Sequence, residues 1–290
     1  MTTRLEPPDK LGAAATSVAV VNGPEDELLD WDAVDWRAHE QNVRRLRQRI
    51  FTASQVGDLK RVRNLQKLML RSRSNTLLAV RRVTEVNAGR LTAGVDGRVI
   101  LDGQDKADLA VQIHHRQRPW QACPVRRVYI PKADGRRRPL GIPVIVDRVS
   151  QARVAAALEP EWEARFEPRS YGFRPGRSCQ DALQATFATV KGPNPARRWV
   201  LDADLKAAFD RIDHHHLLGQ LGGFPAREQI RGWLTAGVID QGLFTATEEG
   251  TPQGGLCSAE HNPPYEQCWV MRSVGSFGLV GTVVGVERCA

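Results

Sequence analysis

The chain has 290 residues, 41% of them apolar, and a formal net charge of +8 with an isoelectric point near 9.6. That length predicts two folded units rather than one, and a positive excess of this size indicates polyanionic partners, nucleic acid first among them. The five cysteines form no Cys-x-x-Cys pair and no run approaches about 18 apolar residues, which argues against a disulfide scaffold, a zinc ribbon and a membrane-spanning protein. Because the start of the chain lacks a signal-peptide pattern, we expect a cytoplasmic protein.

Charge is divided unevenly along the chain. Residues 1–35 hold eight Asp and Glu against two Lys and Arg, whereas residues 36–100 hold fifteen basic side chains against four acidic ones. The first segment mixes Pro, Gly, Ala and acids without periodicity, which is typical of a disordered segment. We therefore expect a disordered acidic leader over residues 1–35, followed by a basic helical domain over residues 36–120.

Two basic helices are predicted next. Apolar residues recur at helical spacing from Val43 to Ile50, and again after a break at Gly57 and Asp58. A single basic helix is more often explained as a solvated surface. Two such helices in succession with almost no acidic residues favour contacts to phosphate groups. Phosphate contacts do not reveal which nucleotide sequence is bound. The candidate RNA-binding residues are Arg44, Arg45, Arg47, Arg49, Lys60, Arg61, Arg63, Lys67 and Arg71.

A hairpin with a cationic tip is the next strong signal, after a turn at residues 94–97. A β-branched and aromatic run over residues 127–130 ends at a proline, an Asp-Gly turn follows, and three arginines lead into residues 139–143. Residues 146–158 predict a helix that Pro160 closes. Strands that alternate with helices indicate an α+β or α/β body.

Acidic residues interrupt the apolar stretch Trp199 to Leu205, which predicts a buried strand. Asp204 stands near the end of that run, where a carboxylate can reach a cleft and hold a hard cation such as Mg²⁺. Asp210 and Asp213 are more simply explained as caps of turns or of a helix that starts near residue 213. His214 to His216 cannot converge on one metal, because consecutive helical side chains diverge, so we assign them to the surface and to the cap.

Five motifs in a fixed order carry a family resemblance. They are Tyr129-Ile-Pro-Lys-Ala-Asp-Gly, Arg138-Pro-Leu-Gly-Ile-Pro, Tyr171-Gly-Phe-Arg-Pro-Gly-Arg-Ser178, Asp204-Leu-Lys-Ala-Ala-Phe-Asp210 and Thr251-Pro-Gln-Gly-Gly255. Each is weak by itself, and the last is by itself only a plain turn. Together they resemble a group II intron-encoded reverse transcriptase and maturase from about residue 36 to residue 255. The resemblance implies an α+β, partial right-hand polymerase fold, in which a basic helical N-terminal extension precedes fingers and the start of a palm over residues 121–255.

The same resemblance implies roles for individual residues. Asp204 would be the first catalytic, metal-binding aspartate, and the Leu205 carbonyl would be a neighbouring Mg²⁺ ligand. Contacts to an incoming deoxynucleoside triphosphate would come from Lys132, Arg138, Phe209 and Gln253. Intron RNA, and DNA as primer or target, are the implied partners.

The chain departs from the family pattern after Gly255. Two-metal nucleotidyl transfer needs closely spaced carboxylates, yet no Asp-Asp pair occurs anywhere in the sequence and Tyr265 is followed by Glu-Gln-Cys. Pro263 and Pro264 would also break the apolar helix expected there. We interpret residues 256–290 as an aberrant tail produced by a shifted reading frame, and the chain as a truncated RNA-directed DNA polymerase that is inactive alone. The alternatives are a non-catalytic RNA-binding protein that assists splicing, a decayed gene product, and a fragment that does not fold stably.

Overall fold

The structure is a computed structural model that describes residues 30–115, 120–131, 135, 137–172, 174–192, 199–201, 210–251 and 286–288. Its α-helices are α1 (Trp36–Gln55), α2 (Leu59–Arg71), α3 (Arg73–Arg81), α4 (Gly103–His114), α5 (Ile145–Glu163), α6 (Cys179–Val190), α7 (His214–Leu221) and α8 (Arg227–Leu234). Its strands are β1 (Val125–Pro131), β2 (Arg137–Ile142), β3 (Trp199–Leu201), β4 (Val238–Asp240), β5 (Leu243–Thr245) and β6 (Val286–Arg288). A π-helical turn and a 3₁₀ turn follow α3. This mixture confirms the predicted α+β class, and none of the described helices is long and apolar enough to cross a membrane.

A four-stranded mixed sheet has the strand order β2-β1-β4-β5. β1 and β2 form the predicted antiparallel hairpin, β1 and β4 run parallel, and β4 and β5 are antiparallel. Pro139 on β2 lies opposite Tyr129, and the edge position of β2 allows a residue without an N–H group. A separate antiparallel pair joins β3 to β6, so the segment predicted to be an aberrant tail contributes a short strand.

Two apolar clusters form the core. One joins α1, α2, α7, α8 and the second half of α5, with Ile50, Met69 and Leu158 at most 1% exposed. The other joins α3, α4 and the first half of α5 around Leu77 and Leu109. Each fully buried aliphatic side chain of this kind stabilises the fold by about 1.5 to 3 kcal/mol. α5 takes part in both clusters and is therefore the central helix of the structure.

α5 continues through Pro160 to Glu163, so the prediction that Pro160 closes this helix is wrong. A proline lacks the N–H group that would bond to the carbonyl four residues earlier, here that of Ala156. The Nη1 group of Arg47 on α1 donates a long hydrogen bond, 3.5 Å, to this oxygen. A side chain from another helix thus satisfies the carbonyl that the proline leaves without its helical partner, and the helix can continue.

Ordered packing begins before the expected end of the acidic leader. Trp31 is 5% exposed, its ring lies edge-on to that of Trp36 at 4.8 Å, and its Nε1 group donates to Glu85 at 2.8 Å. Burial alone would raise the pKa of Glu85, but hydrogen bonds from Trp31 and Lys106 outweigh it and lower that pKa. The disorder predicted over residues 1–35 therefore does not extend to Trp31, while residues 1–29 lie outside the described residues.

Arg148 on α5 binds the 3₁₀ turn that follows α3 and the link between β2 and α5. Its buried guanidinium group donates to the carbonyls of Pro143 at 3.1 Å, Gly89 at 3.0 Å and Thr92. Burial lowers the pKa of this group, and three carbonyl oxygens compensate for the lost hydration. Arg148 is therefore a structural arginine that fixes two loops on α5.

Candidate nucleic-acid interface

The solvent-facing side of α1 is rich in arginine. The Asp35 side chain caps the helix by accepting a hydrogen bond from the Ala38 N–H group at 3.1 Å. Val43 and Ile50 turn the apolar stripe towards the core, as the sequence predicts. Of the candidate RNA-binding residues on the remaining faces, the exposed ones are Arg44, Arg45 and Arg49.

α2 repeats this arrangement. Asp58 caps it through the Arg61 N–H group at 2.9 Å, and Val62, Leu65 and Met69 are buried. Its exposed basic side chains are Lys60, Arg61, Lys67 and Arg71. We call these four residues, together with Arg44, Arg45 and Arg49 of α1, the basic faces.

No acidic side chain of the described residues neutralises the charge on the basic faces. Over the residues that the structure describes, none of these seven side chains forms an ion pair. Arg45 lies four residues before Arg49, and Lys67 four residues before Arg71, and like charges at this helical spacing are destabilising by about 0.2 to 0.5 kcal/mol per pair. This arrangement does not stabilise the helices, but it suits a polyanion, whose phosphates would relieve the repulsion.

Arg47 and Arg63 have a different environment from the other candidate RNA-binding residues. Arg47 pairs with Glu159 on α5 at 2.9 Å, with only a third of its side chain exposed. Arg63 pairs with Glu161 at 2.7 Å and also donates to Gln66 at 3.0 Å. Both guanidinium groups therefore hold the two basic helices on α5.

Their partners belong to an acidic cluster at the C-terminal end of α5, formed by Glu159, Glu161 and Glu163. Carboxylates are unfavourable at this negative end of the helix dipole unless cations accompany them. Glu161 is 2% exposed and accepts from Gln66 at 2.7 Å and from Arg165 at 2.7 Å as well as from Arg63. The acidic cluster thus draws basic side chains from several elements to one place.

The third member of the cluster holds the Tyr171–Ser178 motif. Arg174 is 6% exposed, and it donates to the Glu163 carboxylate at 2.7 Å and to the carbonyls of Glu167 at 2.7 Å and Ser170 at 2.9 Å. At the end of the motif Ser178 forms a capping box with Asp181, and hydrogen bonds from Ser178 lower the pKa of that carboxyl group. Arg174 therefore has a structural role, which is to hold this motif on the end of α5. The sequence alone does not reveal this role, because it depends on tertiary contacts with Glu163 and with two carbonyl groups.

His214 corrects a second prediction. Asp213 caps α7 as expected, and His215 and His216 are exposed. His214 is instead buried, and its Nε2 group lies 2.5 Å from the carbonyl oxygen of Gly250. The assignment of all three histidines to the surface and the cap is therefore wrong for His214, which fixes the main chain at Gly250. Its place at the head of the apolar stripe Leu217, Leu218 and Leu221 is the signal that indicates burial.

Most of the predicted polymerase residues fall outside the described residues. They are Lys132, Asp204, Leu205, Phe209 and Gln253. Arg138 is described: it lies half-buried on β2, opposite Ile130 of β1. In the described part of the chain, no group of three or more metal-ligating side chains comes together.

Comparison with known proteins shows that two reverse transcriptase domain models match this chain. The model for the N-terminal domain of reverse transcriptase matches residues 31–113, and the model for reverse transcriptase (RNA-dependent DNA polymerase) matches residues 130–260. Group II intron-encoded protein LtrA of Lactococcus lactis subsp. cremoris is 40% identical over 140 residues, which cover 47% of this chain and 23% of that protein. The chain belongs to the group II intron reverse transcriptase and maturase family. The N-terminal match begins at Trp31, where the ordered packing also begins.

Two other relatives extend this family match. Protein YkfC of Escherichia coli (strain K12) is 35% identical over 229 residues, which cover 74% of this chain and 58% of that protein. An uncharacterized 91 kDa protein in a cob intron of Schizosaccharomyces pombe is 35% identical over 202 residues, which cover 68% of this chain and 24% of that protein. The chain thus spans between about a quarter and somewhat more than half of these relatives.

Membership of a reverse transcriptase family makes dependence on a divalent metal the general expectation. A carboxylate and a main-chain carbonyl, as at Asp204 and Leu205, are hard oxygen donors of the kind that Mg²⁺ takes. One carboxylate is fewer than a two-metal site needs. The donor set assigned in this chain is therefore compatible with Mg²⁺ but incomplete.

Proposed function

We propose that this chain binds intron RNA through the basic faces of α1 and α2, as the front portion of a group II intron reverse transcriptase. The proposal rests on a difference among the nine candidate RNA-binding side chains: two of them form ion pairs within the fold and seven do not, over the described residues. Arg47 and Arg63 pair with acids on α5, whereas the seven exposed side chains have no ion pair among the described residues. Cations that the fold does not neutralise are the usual means of binding phosphate.

The proposal extends to the polymerase roles of the family. Asp204 and the Leu205 carbonyl would hold Mg²⁺, and the contacts to a deoxynucleoside triphosphate would be made by Lys132, Arg138, Phe209 and Gln253. A DNA primer or target would complete the reaction of the family. Because the sequence holds no Asp-Asp pair, the chain alone binds RNA without extending a primer. The exposed thiol of Cys179, which forms no disulfide, suits a reducing cytoplasmic setting.

A salt series on RNA binding tests the first part. The plot of log affinity against log salt concentration has a negative slope, and each lost phosphate contact reduces the magnitude of that slope by about 0.7 to 0.9. Below, a lower slope means a shallower one. Arg45→Gln is therefore expected to lower the slope by nearly one, and Arg44→Gln with Arg45→Gln and Arg49→Gln by about 2 to 3. The matched control is Arg231→Gln, which removes one exposed arginine that pairs with Glu228 and should leave the slope unchanged. Equal slopes for Arg45→Gln and wild type would contradict the proposal.

Primer extension on an RNA template with Mg²⁺ tests the second part. The chain alone is expected to give no extended product. Extension that Asp204→Ala abolishes would show that Asp204 is catalytic here and would contradict the inactivity of the chain alone. Extension that survives Asp204→Ala would also remove the role assigned to Asp204.

A further inference from the structure

The basic faces lie close to the point where the described chain is first anchored. Trp31 is buried, and its ring lies 4.8 Å from that of the first residue of α1. The side chains of His39 and Ser74 lie 2.9 Å apart, so the start of α3, and with it the end of α2, is held beside the start of α1. Arg44 and Arg71 are therefore at the end of the helical pair to which the preceding chain is attached.

The segment before this anchor has the opposite charge. Residues 1–29, which we call the N-terminal segment, hold five acidic side chains against two basic ones, and no Lys or Arg occurs from residue 11 to residue 36. Three of the acids are consecutive, and we call Glu25, Asp26 and Glu27 the acidic triplet. The triplet precedes residue 31, where the match to the reverse transcriptase N-terminal domain begins. It is therefore a feature of this chain outside the family match.

The length of the chain allows the acidic triplet to reach the basic faces. An extended chain spans at most about 3.6 Å per residue, so Glu27 can lie up to about 14 Å from Trp31, and Glu25 up to about 22 Å. Arg44 lies about 12 Å along the helix axis from the first residue of α1, at a rise of about 1.5 Å per residue. The triplet can therefore contact the arginines of α1 without any change in the described fold.

A short tether makes weak ion pairs effective. An exposed ion pair changes an equilibrium constant by a factor of only about 1.4 to 5. A tether, however, gives the two partners an effective concentration in the millimolar range, and the factors of several pairs multiply. Arg44, Arg45 and Arg49 have no acidic partner among the described residues. Carboxylates beside them would also relieve the repulsion between Arg45 and Arg49.

We propose that the acidic triplet docks on the basic faces and competes with RNA phosphates for the same cations. The N-terminal segment is then an intramolecular competitor. An RNA that makes few phosphate contacts binds less tightly, whereas one that makes many contacts displaces the carboxylates. This inference rests on the proposed function, because the surface that the triplet covers is the one assigned to RNA. It gives the residues before Trp31 a regulatory role that none of the polymerase motifs provides.

Affinity for a labelled single-stranded RNA of mixed sequence, measured by fluorescence anisotropy at low salt, tests the competition. Glu25→Gln with Glu27→Gln removes two anions and is expected to raise the affinity about three- to tenfold, the effect of two lost ion pairs. The matched control is Glu6→Gln with Asp9→Asn, which changes the net charge by the same amount but lies much further from the anchor at Trp31. The affinity of the control should stay within about twofold of wild type. Circular dichroism on each variant confirms that it is folded.

A zero-length cross-linker tests the contact itself. A carbodiimide joins a carboxylate directly to an amine, so it reports only on groups that touch. In the full chain without RNA, we expect cross-links from the acidic triplet to Lys60 or Lys67 of the basic faces, identified by mass spectrometry. Excess RNA should suppress them. Cross-links confined to lysines outside the basic faces, or no cross-link from the triplet at all, would refute the docking.

The outcomes separate this inference from the proposed function. If Arg45→Gln makes the salt slope shallower while the variant with Glu25→Gln and Glu27→Gln binds RNA like wild type, the docking is refuted and the proposed function stands. An equal rise in affinity for both double variants would attribute the effect to net charge alone, and it would also refute the docking. If the chain shows no salt-dependent RNA binding, both the docking and the proposed function are refuted.

Discussion

The buried carboxylate of Glu161 offers the sharpest test of how the basic helices are held on α5. Its side chain is 2% exposed, and it accepts charged hydrogen bonds from Arg63 and Arg165, each at 2.7 Å. Glu161→Gln removes the charge but keeps the shape, which leaves two guanidinium groups without their anion. Removal of one partner of a buried ion pair costs about 3 to 5 kcal/mol. The arginines keep 20% and 38% of their side chains exposed, so water compensates in part and about 3 kcal/mol is expected.

Urea denaturation measures this loss. With a slope of about 2 to 3 kcal/mol per molar, 3 kcal/mol lowers the unfolding midpoint by about 1 to 1.5 M. Coincident transitions by circular dichroism and tryptophan fluorescence would establish that the unfolding is two-state. The control is Glu228→Gln on α8, where the carboxylate is 70% exposed and pairs with Arg227 and Arg231. An exposed pair contributes about 0 to 1 kcal/mol, so its midpoint should move little.

A double substitution refines the test. Arg63→Met with Glu161→Met replaces the pair by apolar side chains, which in buried sites is often neutral or stabilising. It should be more stable than Glu161→Met alone, because Arg63 is then no longer left without its partner. If Glu161→Gln shifts the midpoint by less than about 0.2 M, well below the range calculated above, the reasoning that α5 anchors the basic helices through this carboxylate is refuted.

Three further outcomes are expected from the same physical arguments. Burial and nearby cationic side chains lower the pKa of His114 from 6.5 to about 4, so the unfolded chain binds more protons between these values and stability falls as the pH drops through them. The ring is only half-buried, and solvent screening limits this effect to about 1 to 2 kcal/mol. His114→Gln should flatten the profile of unfolding free energy against pH. Gly94→Ala places a Cβ atom 2.7 Å from the Val144 Cα atom and should destabilise by about 1 to 3 kcal/mol, whereas Gly172→Ala, which meets nothing within 4 Å, should not. Arg148→Lys cannot reach three carbonyls with one ammonium group and should lower the unfolding free energy by about 2 kcal/mol; unchanged urea midpoints would contradict the last two expectations.

Local patterns were sufficient to predict the elements with strong periodicity. The stripes from Val43 to Ile50 and from Val62 to Met69 are the buried sides of α1 and α2, and the predicted break at Gly57 and Asp58 separates the two helices. The cap at Asp213 also lies where the sequence predicts it. The hairpin of β1 and β2 follows equally from its β-branched run and its Asp-Gly turn. In each case the information lies within about a dozen residues of the element itself.

Long-range contacts could not be predicted in this way. Arg47 has the same local setting as Arg45 and Arg49, but its partner Glu159 is 112 residues away along the chain. The continuation of α5 past Pro160 could not be predicted for the same reason. The donor that compensates for the proline comes from α1, far away in the sequence. The candidate site is therefore predictable as a class of basic side chains, whereas the choice of which cations remain available for RNA depends on tertiary contacts.

The acidic cluster of α5 also bears on the proposed division of the chain near residue 120. Both apolar clusters take residues from each side of that boundary, and Glu159 and Glu161 hold α1 and α2 by ion pairs. A segment that ended near residue 120 would expose the apolar faces of both basic helices, and it would leave Arg47 and Arg63 without their acids. The boundary between the two family models is thus not a boundary between two cores. Because both apolar clusters and both ion pairs involve α5, the basic faces have a fixed position on this central helix.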